Sequence, residues 1–175
     1  MDLQDIGLPD ESADAVVCRF GYMVMDDPAA ALAETRRVLR AGGRLALAVW
    51  GAPDRNPFFA LMGAALVEAG HLPPPDPSGP GPFSMASEER TERLLADAGF
   101  ADVGLEQVAV TFTVRDVEEY VAIHADTAGP MALVLAALDA GARRALTERL
   151  QPALAPFRTA AGHALPGVAV CAVAR

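Results

Sequence analysis

The sequence contains no lysine, so all 14 of its basic residues are arginines. This absence excludes a Schiff-base lysine, a lysine general base and the lysine of a phosphate-binding P-loop. Cysteine is scarce as well: Cys18 and Cys171 lie in apolar segments, and they have neither zinc-site nor redox CxxC spacing. Two buried free thiols are typical of a cytosolic protein, and we therefore expect a cytoplasmic location.

Long apolar runs are also missing. The longest, residues 131–138, falls well short of the roughly 20 residues that a membrane-spanning helix requires. The amino terminus is acidic and has no basic segment of the kind that opens a secretory signal. We therefore expect no membrane association. The net charge of −9 repels phosphate backbones, which argues against a nucleic-acid partner.

Residue patterns that carry catalysis are equally rare. The three histidines, His71, His124 and His163, show no metal-ligand spacing, and we expect no bound metal. There is no Gly-x-Ser-x-Gly motif, so no serine nucleophile is indicated. The sequence identifies no catalytic residue, and the catalytic assignment is therefore unknown. A length of 175 residues predicts a single domain covering 1–175.

The first fifty residues predict a strand–helix–strand unit. Residues 13–19 are almost continuously apolar, which favours a strand buried on both faces. Asp27 and Pro28 predict a helix N-terminus, and the helix is expected to run to about Arg40 and to end at Gly42-Gly43. A second strand follows over 44–50. Such a unit implies a right-handed parallel crossover.

The remaining sequence predicts two more long strands separated by helices. We expect helices over 58–69 and 88–98, a proline-rich extended segment over 72–82, and a strand over 103–114. Helical patterns fill 116–158, where Asp116 and Glu119 form a capping box. A turn at Leu165-Pro166-Gly167 is expected to lead into a final strand over 168–174. The order indicates an α/β fold in which the last two strands pair antiparallel at the edge of a parallel sheet.

Three motifs together resemble a known family. Residues 2–14 read DLQDIGLPDESAD, Arg19-Phe20-Gly21 follows the first strand, and Trp50-Gly51-Ala52-Pro53 follows the second. They are similar to the middle of class I S-adenosylmethionine-dependent methyltransferases of the type 11 and ubiquinone-biosynthesis-like group. The resemblance implies a partial Rossmann-like methyltransferase sheet, containing strands four to seven of the family fold, with an inserted helical lid at about 116–158.

The resemblance also implies a cofactor site for S-adenosyl-L-methionine. It assigns the adenine amino group to the Asp2 carboxylate and the adenine ring to the backbone N–H of Leu3. The methionine part falls to Arg19 and Phe20. Candidates for the side of a small-molecule methyl acceptor are Tyr22, Trp50, Arg55 and His124. The expected mechanism is in-line displacement, to which the protein contributes positioning and desolvation.

Three of these assignments have an alternative. From the residues alone Asp2 is interpreted as a frayed terminal acid, and Arg19 is equally well interpreted as a surface residue paired with Asp26 or Asp27. His124 fits an ordinary helix position. The family's first three strands and its glycine-rich cofactor loop have no counterpart in the sequence, so we expect a truncated methyltransferase with weak or no cofactor binding.

Two other functions stay open from the sequence. One is a non-catalytic interaction module that self-associates, as a homo-oligomer, through the exposed edge of the strand at 13–19. The other is a different α/β enzyme, such as a reductase, which residues 2–14 disfavour. The sequence does not define the methyl acceptor or the acceptor atom.

Overall fold

The structure is a computed structural model, and it describes residues 2–76, 79–127 and 129–175. The chain forms two compact units. The first comprises Met1–Arg55, Asp76–Val110 and Val168–Arg175, and the second comprises Asn56–Pro75 and Thr111–Gly167. The segment predicted as a helical insertion, 116–158, therefore lies within the second unit.

Strands and helices follow one another in nearly the predicted order. The strands are β1 (Ala13–Arg19), β2 (Leu39–Trp50), β3 (Gly104–Val114), β4 (Arg158–Thr159) and β5 (Gly162–Ala174). The helices are α1 (Pro28–Val38), α2 (Pro57–Glu68), α3 (Glu88–Asp97), α4 (Val117–Asp126), α5 (Pro130–Ala137) and α6 (Ala140–Leu154). The predicted extended segment 72–82 includes residues 77 and 78, which lie outside the described residues.

Among the described residues, no single helix is both long enough and apolar enough to cross a membrane. The segments Val117–Asp126 and Met131–Ala137 meet the requirements only jointly, and a bend of 115° separates them.

The strands form one mixed sheet in the order β1-β2-β5-β3, with β4 paired to β5. β1 and β2 are parallel, and Val17 lies opposite Ala46. β5 is antiparallel to β2, where Ala172 lies opposite Leu47. The predicted parallel crossover, the α/β class and the adjacency of the last two long strands are thus confirmed. The crossover brings the carboxyl ends of β1 and β2 to the same edge of the sheet.

Helix α1 shows how local sequence builds the crossover. The Asp27 carboxylate accepts a hydrogen bond from the backbone N–H of Ala30 at 2.9 Å, and Pro28 occupies the first helical position. The face of α1 that carries Leu32, Thr35 and Val38 is buried, as the helical spacing predicts.

The predicted end of this helix is wrong. α1 ends at Val38, and β2 begins directly at Leu39. Between the pairs Ala13–Leu39 and Ala15–Arg44, β2 contains more residues than β1, so the register shifts. Gly42 adopts a φ of 77° there, a conformation that glycine adopts at little cost. The glycines therefore shape a bulge in the strand instead of ending a helix.

The predicted burial of β1 on both faces is also wrong. Val17 is 80% exposed. Val17 and Val173 both pair with Ala46 of β2, from opposite sides, and Val173 is 52% exposed. Cys18 and Cys171 are unpaired thiols, as expected, but both are only half-buried. In the described residues β1 pairs with β2 alone, which makes it an edge strand.

The second unit has its own hydrophobic core, built mainly by α2, α4 and α6. Its fully enclosed side chains include Met62, Tyr120, Leu135, Leu150 and Leu165. Leu165 was expected in a turn before the last strand, but it lies inside β5, which begins at Gly162. The hairpin of β4 and β5 supplies this earlier start, because Arg158 and Thr159 pair with His163 and Gly162.

Candidate functional site

Arg37 of α1 makes several hydrogen bonds to the amino-terminal loop. The Arg37 guanidinium donates to the backbone oxygens of Ile6 at 2.8 Å and Leu8 at 2.9 Å. It also pairs with the carboxylates of Asp10 at 2.6 Å and Glu34 at 2.7 Å. These hydrogen bonds lower the pKa of Glu34 and raise the pKa of Arg37. Sequence analysis missed Arg37, although an arginine late in a helix near an acidic loop was a usable signal.

Asp2 closes a tight turn at the start of this loop. One of its carboxylate oxygens accepts the backbone N–H of Gln4 at 2.9 Å, and its backbone oxygen accepts the N–H of Asp5 at 3.3 Å. The Gln4 side chain in turn accepts the N–H of Asp27, at the start of α1, at 2.9 Å. Asp2 is exposed, so its second carboxylate oxygen remains open to a donor.

Leu3 joins this turn to the loop that follows β1. A Cβ placed on Gly21 would lie 3.4 Å from the Leu3 side chain and only 2.6 Å from the sulfur of Cys18. The glycine therefore allows the close approach of the loop to these two side chains. The structure thus brings the predicted adenine-side residues beside the loop that carries Arg19 and Phe20.

An aromatic stack marks the carboxyl ends of the two parallel strands. The rings of Phe20, after β1, and Trp50, at the end of β2, are nearly parallel, with centroids 4.1 Å apart. Phe20 has a φ of 58°, which is costly for a bulky residue and often marks a functional site. Its backbone N–H is held by the oxygen of Ala48 at 2.8 Å. The strained residue is therefore fixed by both its ring and its backbone.

Arg19 lies against the same stack. Its guanidinium carbon is 5.6 Å from the centroid of the Phe20 ring, within the range of a cation–π contact. In residues 2–76, 79–127 and 129–175 no ion pair joins it to Asp26 or Asp27. Its charge therefore remains available at the end of the sheet.

The structure places Tyr22 in the core of the first unit. Its ring is fully buried, and its hydroxyl lies 2.6 Å from Thr35 Oγ1. Thr35 itself donates to the backbone oxygen of Ala31, so the Tyr22 hydroxyl is the donor. Burial raises its pKa to about 12. The residue supports the loop after β1 and does not reach the surface predicted for a methyl acceptor.

Arg55 is exposed, just beyond β2, and is part of a polar chain. It donates to the side-chain oxygen of Gln107 in β3, and Gln107 donates to the carboxylate of Glu88 at the start of α3. These two hydrogen bonds link three segments of the first unit. Arg55 is thus committed to a structural contact as well as being a candidate on the acceptor side.

His124 lies in the core of the second unit and is 2% exposed. Its ring stacks on Phe58 with centroids 4.4 Å apart, and its Nδ1 lies 2.9 Å from the backbone oxygen of Tyr120. The Tyr120 hydroxyl donates to the backbone oxygen of Phe58 at 2.6 Å. Burial lowers the pKa of His124 and raises that of Tyr120.

The lowered pKa of His124 predicts a pH-dependent stability. The unfolded chain takes up this proton at a pKa of about 6.5, whereas the folded chain takes it up only at lower pH. The free energy of unfolding is therefore expected to decrease as the pH falls from about 7 to about 5. Urea denaturation across this range measures the decrease, and His124→Phe should flatten it. A variant at the exposed His71, His71→Asn, serves as the control; an unchanged decrease in His124→Phe would contradict the assignment.

A family model matches the sequence over the part of the chain that contains the Asp2–Leu3 turn and the Arg19–Phe20 loop. A sequence model of the family described as Methyltransferase domain matches residues 1–47. No curated protein is significantly similar in sequence. The resemblance to class I methyltransferases is thus confirmed over the segment that contains the amino-terminal turn, β1, α1 and most of β2.

Solved structures share the fold. A proposed methyltransferase from Bacillus halodurans C-125 is 20% identical, with a TM-score of 0.59, over 100% of this chain and 75% of its own. The YcgJ protein from Bacillus subtilis is 16% identical, with a TM-score of 0.56, over 98% and 67%. The cyclase SpnF is 19% identical, with a TM-score of 0.51, over 100% and 54%. At these identities the likeness concerns the fold alone.

Proposed function

We propose that the first unit forms part of an S-adenosylmethionine-dependent site for methyl transfer to a small-molecule acceptor. The observation that carries the proposal is the meeting of the Asp2–Leu3 turn with the Arg19–Phe20 loop at the carboxyl end of β1. Both lie within residues 1–47, the part that matches the methyltransferase family. Ligands of open α/β sheets bind at this edge of the sheet.

The residues present fit the parts of the cofactor by their chemistry. The open carboxylate oxygen of Asp2 suits an adenine amino donor, and the Arg19 guanidinium suits a carboxylate. Phe20 and Trp50 offer an apolar wall that excludes water from a reacting centre. When bound, the cofactor supplies an electrophilic methyl group on its sulfonium, and the chain's own contribution is to orient and to desolvate.

Binding of S-adenosylhomocysteine, measured by calorimetric titration, tests the proposal. Asp2→Asn keeps an oxygen for the N–H of Gln4 but presents an amide donor where adenine requires an acceptor. We expect it to weaken binding about tenfold, since a hydrogen bond to a charged group contributes about 1.5 kcal/mol or more. Asp5→Asn in the same turn is the matched control, with an expected change below about twofold. The sequence predicts weak or no binding by this chain, whereas the proposal requires weak but measurable binding. Equal affinities of the two variants, or no binding to the wild-type chain, would therefore refute the assignment.

A second candidate function is a self-associating module without catalysis. The edge position of β1 and the 80% exposure of Val17 favour it, because an exposed apolar edge strand pairs readily with another chain.

Sedimentation velocity distinguishes this candidate. If the β1 strands of two copies pair, the wild-type chain sediments as a dimer. Val17→Lys places a charge on this edge strand and is then expected to raise the dissociation constant of the dimer by at least about tenfold. Val108→Lys, at a partly exposed position of β3, is the control. A wild-type chain that remains monomeric at all concentrations would exclude this function.

A further inference from the structure

A polar cleft of about 500 Å³ lies within the second unit. Its lining includes Arg158, Thr159 and His163 from the hairpin of β4 and β5, and Arg115 and Glu118 next to the start of α4. None of the residues proposed for the cofactor site contributes to it. Its lining combines cationic and hydrogen-bonding groups, which suit a polar ligand.

Two nitrogen-bearing side chains share one face of the hairpin. Arg158 and His163 are paired residues on β4 and β5, and directly paired residues of an antiparallel ladder project on the same side. The guanidinium of the exposed Arg158 has no ion pair or side-chain hydrogen bond in the part of the chain that the structure describes. By contrast, Arg115 is bound to Glu119 at 3.0 Å. Arg158 is therefore the guanidinium available to a ligand.

His163 provides the second, independent observation. The residue is 9% exposed, and its Nδ1 is enclosed without a hydrogen-bond partner among the described residues. Buried polar atoms are rarely unpaired, and an orphaned N–H is rarer than an orphaned acceptor. The N–H donor of the ring is therefore assigned to Nε2, which is not among the enclosed, unpartnered atoms of the described residues. His163 thus offers an N–H donor beside the free guanidinium of Arg158.

The acids at the cleft limit the charge of the ligand. The Asp116 carboxylate is engaged as the N-cap of α4, where it accepts the N–H of Glu119 at 2.8 Å. Glu118 is exposed in the first turn of α4, and the structure shows no ion pair for it among the described residues. This carboxylate repels a second negative charge in the cleft. A monoanion is consequently favoured over a dianion.

We propose that this cleft binds the carboxylate group of a small organic acid, held by the guanidinium of Arg158 and the Nε2–H of His163. A guanidinium fork matches the two oxygens of a carboxylate. The site is separate from the methyl-transfer site proposed above and does not depend on it.

Titration of the full chain with benzoate, followed by NMR of the arginine side chains and by calorimetry at constant ionic strength, tests this site. We expect saturable binding that Arg158→Gln weakens by about tenfold or more and that Arg158→Lys restores only in part. Arg93→Gln, which removes the same charge from an exposed pair with Glu89, is the matched control and should retain wild-type affinity.

Two further measurements keep the proposal falsifiable. His163→Gln, which retains a side-chain N–H donor, should lose less affinity than His163→Leu, and circular dichroism verifies that both variants fold. Inorganic phosphate at a pH where it is a dianion should bind more weakly than benzoate. A shift that never saturates, equal losses in Arg158→Gln and Arg93→Gln, or tighter binding of phosphate would each overturn the proposal.

Discussion

Replacing Gly162 with alanine is expected to destabilise the protein by about 4 kcal/mol, through backbone strain and overpacking together. Gly162 has a φ of 131°, a conformation that is strained for any residue with a Cβ. A Cβ at this position would lie 2.3 Å from the backbone oxygen of Val114 and 2.8 Å from the Cα of Arg115. Both neighbours are backbone atoms, so a side-chain rotation cannot relieve the contact. Urea denaturation followed by far-ultraviolet circular dichroism measures the loss.

Gly63 provides the matched control in the same unit. It lies in the middle of α2, and a Cβ added there meets nothing within 4 Å. Gly63→Ala is therefore expected to stabilise the protein by about 0.5–1 kcal/mol, because alanine restricts the unfolded chain and favours the helix. If both substitutions had effects below about 1 kcal/mol, β5 would not begin against the end of β3 as the structure shows.

Truncating Phe58 to alanine is the second change with a large expected effect, about 4 kcal/mol of destabilisation. The ring is 3% exposed. It stacks on Phe112 with centroids 4.2 Å apart and on His124 at 4.4 Å, and it meets Tyr120 edge-on at 5.3 Å. The substitution removes all these contacts at once and leaves a cavity among α2, β3 and α4.

The measurement for Phe58→Ala uses two signals. Circular dichroism reports the whole chain, whereas the fluorescence of Trp50, the single tryptophan, reports the first unit. The circular dichroism transition should move to lower urea, because Phe58 lies in the second unit. Leu133→Ala, at a side chain that is 75% exposed, should change stability by no more than about 0.5 kcal/mol. Similar effects of both substitutions would show that the aromatic cluster does not stabilise the second unit.

Local signals predicted the helix starts well. Asp27 and Asp116 were each expected near a helix start, and each accepts a backbone N–H there. Such caps act over three residues, so the sequence contains both partners. The expected capping box is displaced by one residue, since Glu119 accepts the backbone N–H of Arg115 and not that of Asp116. Even a local motif therefore depends on the direction from which the chain enters the helix.

The residues of the candidate site were predicted unevenly. Resemblance selected Asp2, Leu3, Arg19, Phe20 and Trp50, and the structure places the turn beside the loop and stacks the two aromatic rings. Their roles toward a cofactor stay predictions. Composition and spacing gave no sign that Tyr22 would be buried against Thr35, because burial is a property of what packs around a side chain.

The sequence by itself determined the α/β class, the parallel strand–helix–strand unit and the caps that begin its helices, because these depend on neighbours a few residues apart. Only the tertiary structure decided which face of β1 remains exposed, how Arg37 fastens the amino-terminal loop, and where β5 begins. It also brought Arg158 and His163 to one cleft with Arg115. Those features join residues that are distant along the chain, and the energy of such contacts exists only once the elements have packed together.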